Sequence, residues 1–203
     1  MINLAVLGST RGSNLLPLLA ASQDGSMDAR LKLVISNKQD APILEKALKH
    51  GIPSHFLNPA GLSRENYDEK ISELLRAYSI DLLVLSGYMR ILSAKFVRAW
   101  PNRIMNVHPS LLPEFSGLMD LDVHRAVLAA GKSYSGCTVH YVTEEVDEGP
   151  IICQLKCPVL PDDTPEDLKT RLQALEAKAL IKAINAHSQN RISLPADELL
   201  CYT

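Results

Sequence analysis

Asn3-Leu4-Ala5-Val6-Leu7-Gly8-Ser9-Thr10-Arg11-Gly12-Ser13-Asn14-Leu15-Leu16 joins an apolar run, a loop of small residues and the start of a leucine-rich face. The run from Asn3 to Gly8 suits a buried strand, and Leu15, Leu16, Leu18 and Leu19 recur as one face of a helix. A strand that turns into a helix through small residues aims backbone N–H groups and the positive end of the helix dipole into the turn. The loop is neither Gly-x-Gly-x-x-Gly nor a Walker A sequence. It therefore suits a phosphate without specifying a dinucleotide or ATP, and a turn that binds nothing would read the same way.

The alternation continues outward from this unit. Leu31 to Ser36 reads as a second strand, Pro42 opens a helix that Gly51 ends, and Ser54 to Leu57 is a brief third strand. Ser63 caps a helix over 64–78, with Glu65, Asp68 and Glu69 in its first turns. Leu82 to Ser86 is a buried strand, followed by a short helix leading to Trp100-Pro101. Strand and helix alternating through the first 130 residues predict a mostly parallel sheet with helices on both faces. Beyond it, Asp120 and Asp122 are placed to cap a helix running to Ala130, which Gly131 ends. Gly136 to Val142 alternates as a half-buried strand, and Ile151 to Val159 follows as its antiparallel partner. Thr164-Pro165-Glu166-Asp167 opens a long helix with Leu168, Leu172, Leu175 and Ala179 on one face, and a polar, loosely held tail runs from Ser188 to Leu199-Leu200. The prediction is a single α/β, Rossmann-like domain over 1–203, with an antiparallel strand pair near its C-terminal end.

Composition narrows the partners. With 46% hydrophobic and 22% charged residues the chain reads as globular, and a net charge of −2 offers no field for nucleic acid or an anionic membrane. No apolar run approaches the roughly 20 residues of a membrane span. The first residues read as a strand rather than a cleaved leader, so a cytoplasmic protein is expected. Cys137, Cys153, Cys157 and Cys201 form no Cys-x-x-Cys pair and are expected as reduced, mostly buried thiols without a metal.

Chemistry gathers at Arg103-Ile104-Met105-Asn106-Val107-His108-Pro109-Ser110-Leu111-Leu112-Pro113. Residues two apart on a strand share a face, so Asn106 and His108 project together where Pro109 stops the ladder. An amide donor beside an imidazole suits a developing oxyanion and a moving proton. Further loops supply Met89-Arg90-Ile91-Leu92 and the acidic turn Thr143-Glu144-Glu145-Val146-Asp147-Glu148-Gly149-Pro150. Taken alone, Arg64 reads as a solvated charge and His140 as a packed or supporting histidine, while Arg90 reads equally as a surface cap or pair. His108, His140 and Asp147 match no zinc spacing, and no metal is expected. Ser110 with His108 lacks a nucleophile elbow, which argues against a serine hydrolase.

Taken together, Gly12-Ser13-Asn14-Leu15, Gly87-Tyr88-Met89-Arg90-Ile91-Leu92, Asn106-Val107-His108-Pro109-Ser110-Leu111-Leu112-Pro113 and Val146-Asp147-Glu148-Gly149-Pro150 resemble the glycinamide ribonucleotide formyltransferases of purine biosynthesis. The likeness runs from Asn3 to Pro158 and more weakly through the last helix. It implies that Gly12, Ser13 and Asn14 hold the phosphate of glycinamide ribonucleotide and that Glu176 meets its sugar side. Arg64, Met89, Arg90, Ile91, Leu92 and Asn106 would meet 10-formyltetrahydrofolate, the cosubstrate. Asn106, His108 and Asp147 would be catalytic, with His108 kept cationic by Asp147. Residues 1–100 would then form the phosphate-binding half and 101–203 the folate-binding and catalytic half, in a monomer or homodimer. Two departures stand out: Met119-Asp120-Leu121-Asp122-Val123 lengthens the connection after the catalytic strand, and Arg11 replaces a small polar residue. A formyltetrahydrofolate hydrolase would be expected to add an N-terminal regulatory domain, and a methionyl-tRNA formyltransferase a C-terminal domain and a basic surface. A noncatalytic folate- or nucleotide-binding module would be expected to have lost Asn106, His108 or Asp147.

Overall fold

The computed structural model describes residues 1–191. The expected end of the tail at Leu199-Leu200, and Cys201, lie outside the described residues. The described strands form one sheet in the order β3-β2-β1-β4-β5-β6-β7, mostly parallel, with an antiparallel pair at its C-terminal end. Two compact units divide the chain between Asn106 and Val107.

In the first unit, β1 (Ile2–Leu7) pairs in parallel with β2 (Ala29–Ser36) on one side and β4 (Leu82–Leu85) on the other. The chain runs outward from β1 through β2 to β3 (Ser54–Phe56), then crosses back to lay β4 on the opposite side of β1. The C-terminal ends of β1 and β4 therefore flank a topological switch point, the place where open α/β sheets bind ligands. β4 is followed in the sheet by β5 (Ile104–His108), with Leu85 opposite Asn106. All of β4 and the last four residues of β1 are buried, as strands covered on both faces are.

Local chemistry sets the helices. α1 (Leu15–Asp24) ends at Gly25 in a left-handed conformation that glycine adopts without strain. Its face is narrower than the leucine pattern predicts: Leu15, Leu18 and Leu19 are buried, but Leu16 is 38% exposed. α2 (Pro42–Lys49) starts on Pro42, as expected. α3 (Arg64–Ala77) is capped by Ser63, whose hydroxyl accepts from the Asn66 N–H, and Ser93 likewise caps α4 (Ala94–Ala99).

In the second unit, β6 (Tyr134–Tyr141) and β7 (Ile151–Pro158) are the predicted antiparallel pair. β6 is not half-buried, however: every residue from Ser135 to Tyr141 is buried. Gly136 and Thr138 face the 110–112 segment, where Leu111 side-chain atoms lie 2.5 Å from where a Cβ on Gly136 would sit and Thr138 Oγ1 donates to the Ser110 carbonyl at 2.7 Å. The opposite face meets α6 (Pro165–Ser188), and alternation cannot register a strand covered twice. α6 begins with the expected capping box: the Thr164 hydroxyl accepts from the Asp167 N–H, and the Asp167 carboxylate accepts from Thr164 N–H. α5 (Leu121–Ala129) departs from expectation, because Asp120 stands at its N-cap position but makes no cap bond. Its carboxylate pairs instead with Lys169 of α6, and Asp122 pairs with Arg125 at 2.9 Å. A charged partner is the stronger claim on a carboxylate than a backbone amide. Val127, Cys157, Leu168 and Leu172 form the buried core between α5, β7 and α6.

Candidate active site

In the first unit the loop from Gly8 to Asn14 is tied directly to the end of β4. Ser9 N–H donates to the Gly87 carbonyl at 3.0 Å, and buried Asn14 donates its amide to Ser86 Oγ at 3.3 Å. The Ser9 hydroxyl donates to Asn37 Oδ1 at 2.5 Å and accepts the Met89 N–H at 2.9 Å. Gly12 is buried at φ +58°, and a Cβ there would lie 2.4 Å from Ile43. Only glycine fits both the backbone and the space. Ser13, beside it, is exposed at the mouth of the loop. Lys46 adds a cation at the rim, donating to the Arg11 carbonyl at 2.7 Å.

After β4, Met89 and Ile91 are 43% and 57% exposed while Leu92 is buried, which leaves an apolar edge open to a ligand. The Arg90 guanidinium sits over the Tyr67 ring, 4.8 Å from its centroid, and is not the free surface cap it could have been. Arg64 stands at the exposed first position of α3. Both cations act on Asp68, which accepts the Ser93 N–H at 2.6 Å. Burial outweighs those partners and raises the Asp68 carboxyl above its ordinary range. Asn106 is half-buried on β5, with its side chain on the same face of the strand as His108 by simple alternation.

The second unit brings His108 and Asp147 together. His108 Nδ1 lies 3.3 Å from Asp147 Oδ2, and its Nε2 lies 3.1 Å from the Phe115 carbonyl. Asp147 Oδ2 also accepts the Gly117 N–H at 3.0 Å, while Oδ1 lies 3.5 Å from His140 Nε2. Burial draws the Asp147 carboxyl upward, but the His140 contact, the Gly117 N–H and the two imidazoles together hold it below its ordinary value. It is an ionised acceptor at neutral pH. The expected cationic His108 is not what the site holds. Burial, the largest effect, lowers its pKa below 6.5, aided by His140, and outweighs the opposing pull of Asp147 and the Phe115 carbonyl. A ring only 4% exposed loses more by desolvation than one carboxylate returns.

Glu176 lies half-buried on α6, close enough to β6 that its charge raises the Cys137 thiol, after burial itself. The structure thus groups Gly12, Ser13 and Asn14 in one loop, Arg64 and Arg90 about Asp68, and His108 with Asp147. It also recruits groups that sequence patterns left unmarked, the Ser9 hydroxyl, the Phe115 carbonyl and the Gly117 amide, and it brings in His140, expected as a packed or supporting histidine. The backbone groups carry no side-chain signature, and alternation says of His140 only that it shares a face with Thr138. Cys137, Cys153 and Cys157 are buried thiols. Among the described residues no group of three His, Cys, Asp or Glu is arranged to hold a metal, and no helix is long and apolar enough to cross a membrane.

The chain that carries the small-residue loop after β1 and the buried His108–Asp147 pair matches the formyl transferase family over residues 2–184. It belongs to that family. Among its relatives, the phosphoribosylglycinamide formyltransferase of Escherichia coli is 38% identical over 95% of this chain and 90% of its own length. The trifunctional purine biosynthetic protein adenosine-3 of Drosophila melanogaster is 45% identical over 89% of this chain. The chain spans between 13% and 20% of the length of such trifunctional relatives. Glycinamide ribonucleotide transformylase 1 from Symbiobacterium toebii superposes with a TM-score of 0.92 at 42% identity, over 97% of this chain and 92% of that one. A formyltetrahydrofolate deformylase from Pseudomonas syringae superposes at 0.86 with 28% identity, over 97% of this chain and 64% of that one. Fold likeness therefore does not separate transfer to an amine from transfer to water.

Proposed function

We propose that the protein transfers the formyl group of 10-formyltetrahydrofolate to the primary amine of glycinamide ribonucleotide. The observation that carries this reading is the buried contact between His108 Nδ1 and Asp147 Oδ2 at 3.3 Å, on the strand that also presents Asn106. Gly12, Ser13 and Asn14 take the ribonucleotide phosphate on backbone N–H groups, and Glu176 approaches its sugar side. Arg64, Arg90 and the apolar edge of Met89, Ile91 and Leu92 take the folate.

The residues divide the reaction as follows. The amine attacks the formyl carbon, forming a C–N bond while the carbonyl π pair moves onto oxygen. The Asn106 amide donates to that oxyanion. The carboxylate is a stronger acceptor than the Phe115 carbonyl, so neutral His108 keeps its proton on Nδ1 and presents Nε2 as a base. The ammonium proton passes to Nε2, directly or through water, and the imidazolium then donates to both Asp147 and an oxygen at Nε2. In the free protein the Phe115 carbonyl lies 3.1 Å from that nitrogen, and the oxyanion takes its place as the acceptor once the ring is protonated. When the oxyanion collapses, the bond to the folate nitrogen breaks and the proton moves from His108 to that nitrogen. The ring returns to its neutral form.

The test follows the folate absorbance change with purified protein and 10-formyltetrahydrofolate, with and without glycinamide ribonucleotide. Turnover that requires the ribonucleotide is expected. Turnover without it would mean a hydrolase, as in the deformylase likeness, and no turnover in either mixture would overturn both.

A further inference from the structure

We propose that His140 is a positioning residue for this reaction, holding Asp147 by its Oδ1 so that Oδ2 is fixed between His108 and the Gly117 amide. The inference rests on the formyl transfer reading for its kinetic consequences, but not for its geometry.

Three features of the backbone aim His140 at this contact. The β6–β7 register shifts between Val139 and His140: His140 pairs with Ile151, β7 carries the extra residue Ile152, and the ladder is locally disrupted at this point. The ring's other nitrogen, Nδ1, is spent on the Tyr141 carbonyl at 2.9 Å, which fixes the ring plane. The turn that carries Asp147 is fastened to the same strand end. Tyr141 N–H donates to the Pro150 carbonyl at 2.9 Å, and Gly149 packs so closely that a Cβ would lie 1.7 Å from the Tyr141 oxygen. Asp147 itself sits at φ +59°, a conformation that needs such support.

The result is a row of Phe115 carbonyl, His108, Asp147, His140 and Tyr141 carbonyl. All four ring nitrogens face acceptors, at 3.1, 3.3, 3.5 and 2.9 Å. In its neutral form His108 brings only one proton to its two contacts. The row therefore accepts one further proton with a hydrogen bond already waiting for it, and His140 is what keeps the carboxylate centred while His108 gains and loses that proton. The titratable groups around the row are His108 on β5, His140 on β6, Asp147 on the turn and, from α5, His124, which senses the charge of His108.

The experiment compares His140→Phe, which keeps a ring without a nitrogen, with His140→Gln, which keeps an uncharged donor. Both are checked for native unfolding transitions. His140→Phe is expected to lower kcat by about 10²-fold, the scale of a misplaced catalytic group, with KM for each substrate within about twofold of wild type. His140→Gln is expected to recover most of the rate. Its His108 ring signals, titrated by NMR in the protein without substrates, should move to higher pH, because a neighbour that lowers the His108 pKa is gone. That readout needs no turnover, so it separates failure of this inference from failure of the proposed reaction. Rates for His140→Phe within twofold of wild type, or a His108 titration unmoved in His140→Gln, would overturn it.

Discussion

At Asp147 the side chain and the backbone make separate demands. The carboxylate serves three neighbours, and the left-handed backbone at φ +59° suits only Gly, Asn and Asp well. Asp147→Asn therefore removes charge without changing shape or turn. It is expected to lower kcat by about 10²–10⁴-fold, the range for a lost acid–base partner, with substrate KM values little changed in steady-state assays. Asn106 and His108 were legible in the sequence because a period of two is enough to place them side by side. Asp147 was one acid among several in its turn, beside Glu144, Glu145 and Glu148. What selects it is one positive φ and the close approach of Gly149, and neither leaves a mark in composition. The charge state of His108 was hidden for another reason: pairing is visible in residue types, whereas desolvation is a property of the folded core.

Under the proposed reaction, the loop between β1 and α1 is the element on which substrate affinity would turn. Gly12→Ala forces both a strained φ and an overlap with the Ile43 side chain, 2.4–2.9 Å from the added carbon. It is expected to raise KM for the ribonucleotide by about tenfold or more, since strain of this kind costs about 1–3 kcal/mol, with a smaller effect on kcat. Ile43→Ala in the same chain removes the nearer clashing atoms but not the positive φ. Measured against Ile43→Ala alone, part of the KM increase should disappear. Strand–loop–helix order, the Ser63 and Thr164 caps and the antiparallel pair were all readable, because each depends on local chemistry or periodicity. The burial of β6 and the diversion of Asp120 to Lys169 were not, because both depend on segments distant in sequence.

For the whole molecule, buried neutral histidines set the response to acid. His124 is 2% exposed, and burial, reinforced by Lys169, brings its pKa down to about 4, with His108 lowered in the same direction. The unfolded chain takes up protons near pH 6.5 that the folded one declines, so stability falls as pH drops from 6.5 through about 4. The contribution of His124 to that loss is on the order of 3 kcal/mol. Urea unfolding midpoints measured from pH 7 to 4 should decline less steeply in His124→Asn than in wild type. A steeper decline would reverse the sign. The Ser9 hydroxyl carries a different kind of consequence. With its proton committed to Asn37 and its lone pair to the Met89 amide, it sets the anion loop and the start of the apolar edge in one arrangement from within the protein. Under the proposed reading, capture of a phosphate by this loop would cost little entropy in freezing backbone, because these two bonds already hold it before a ligand arrives.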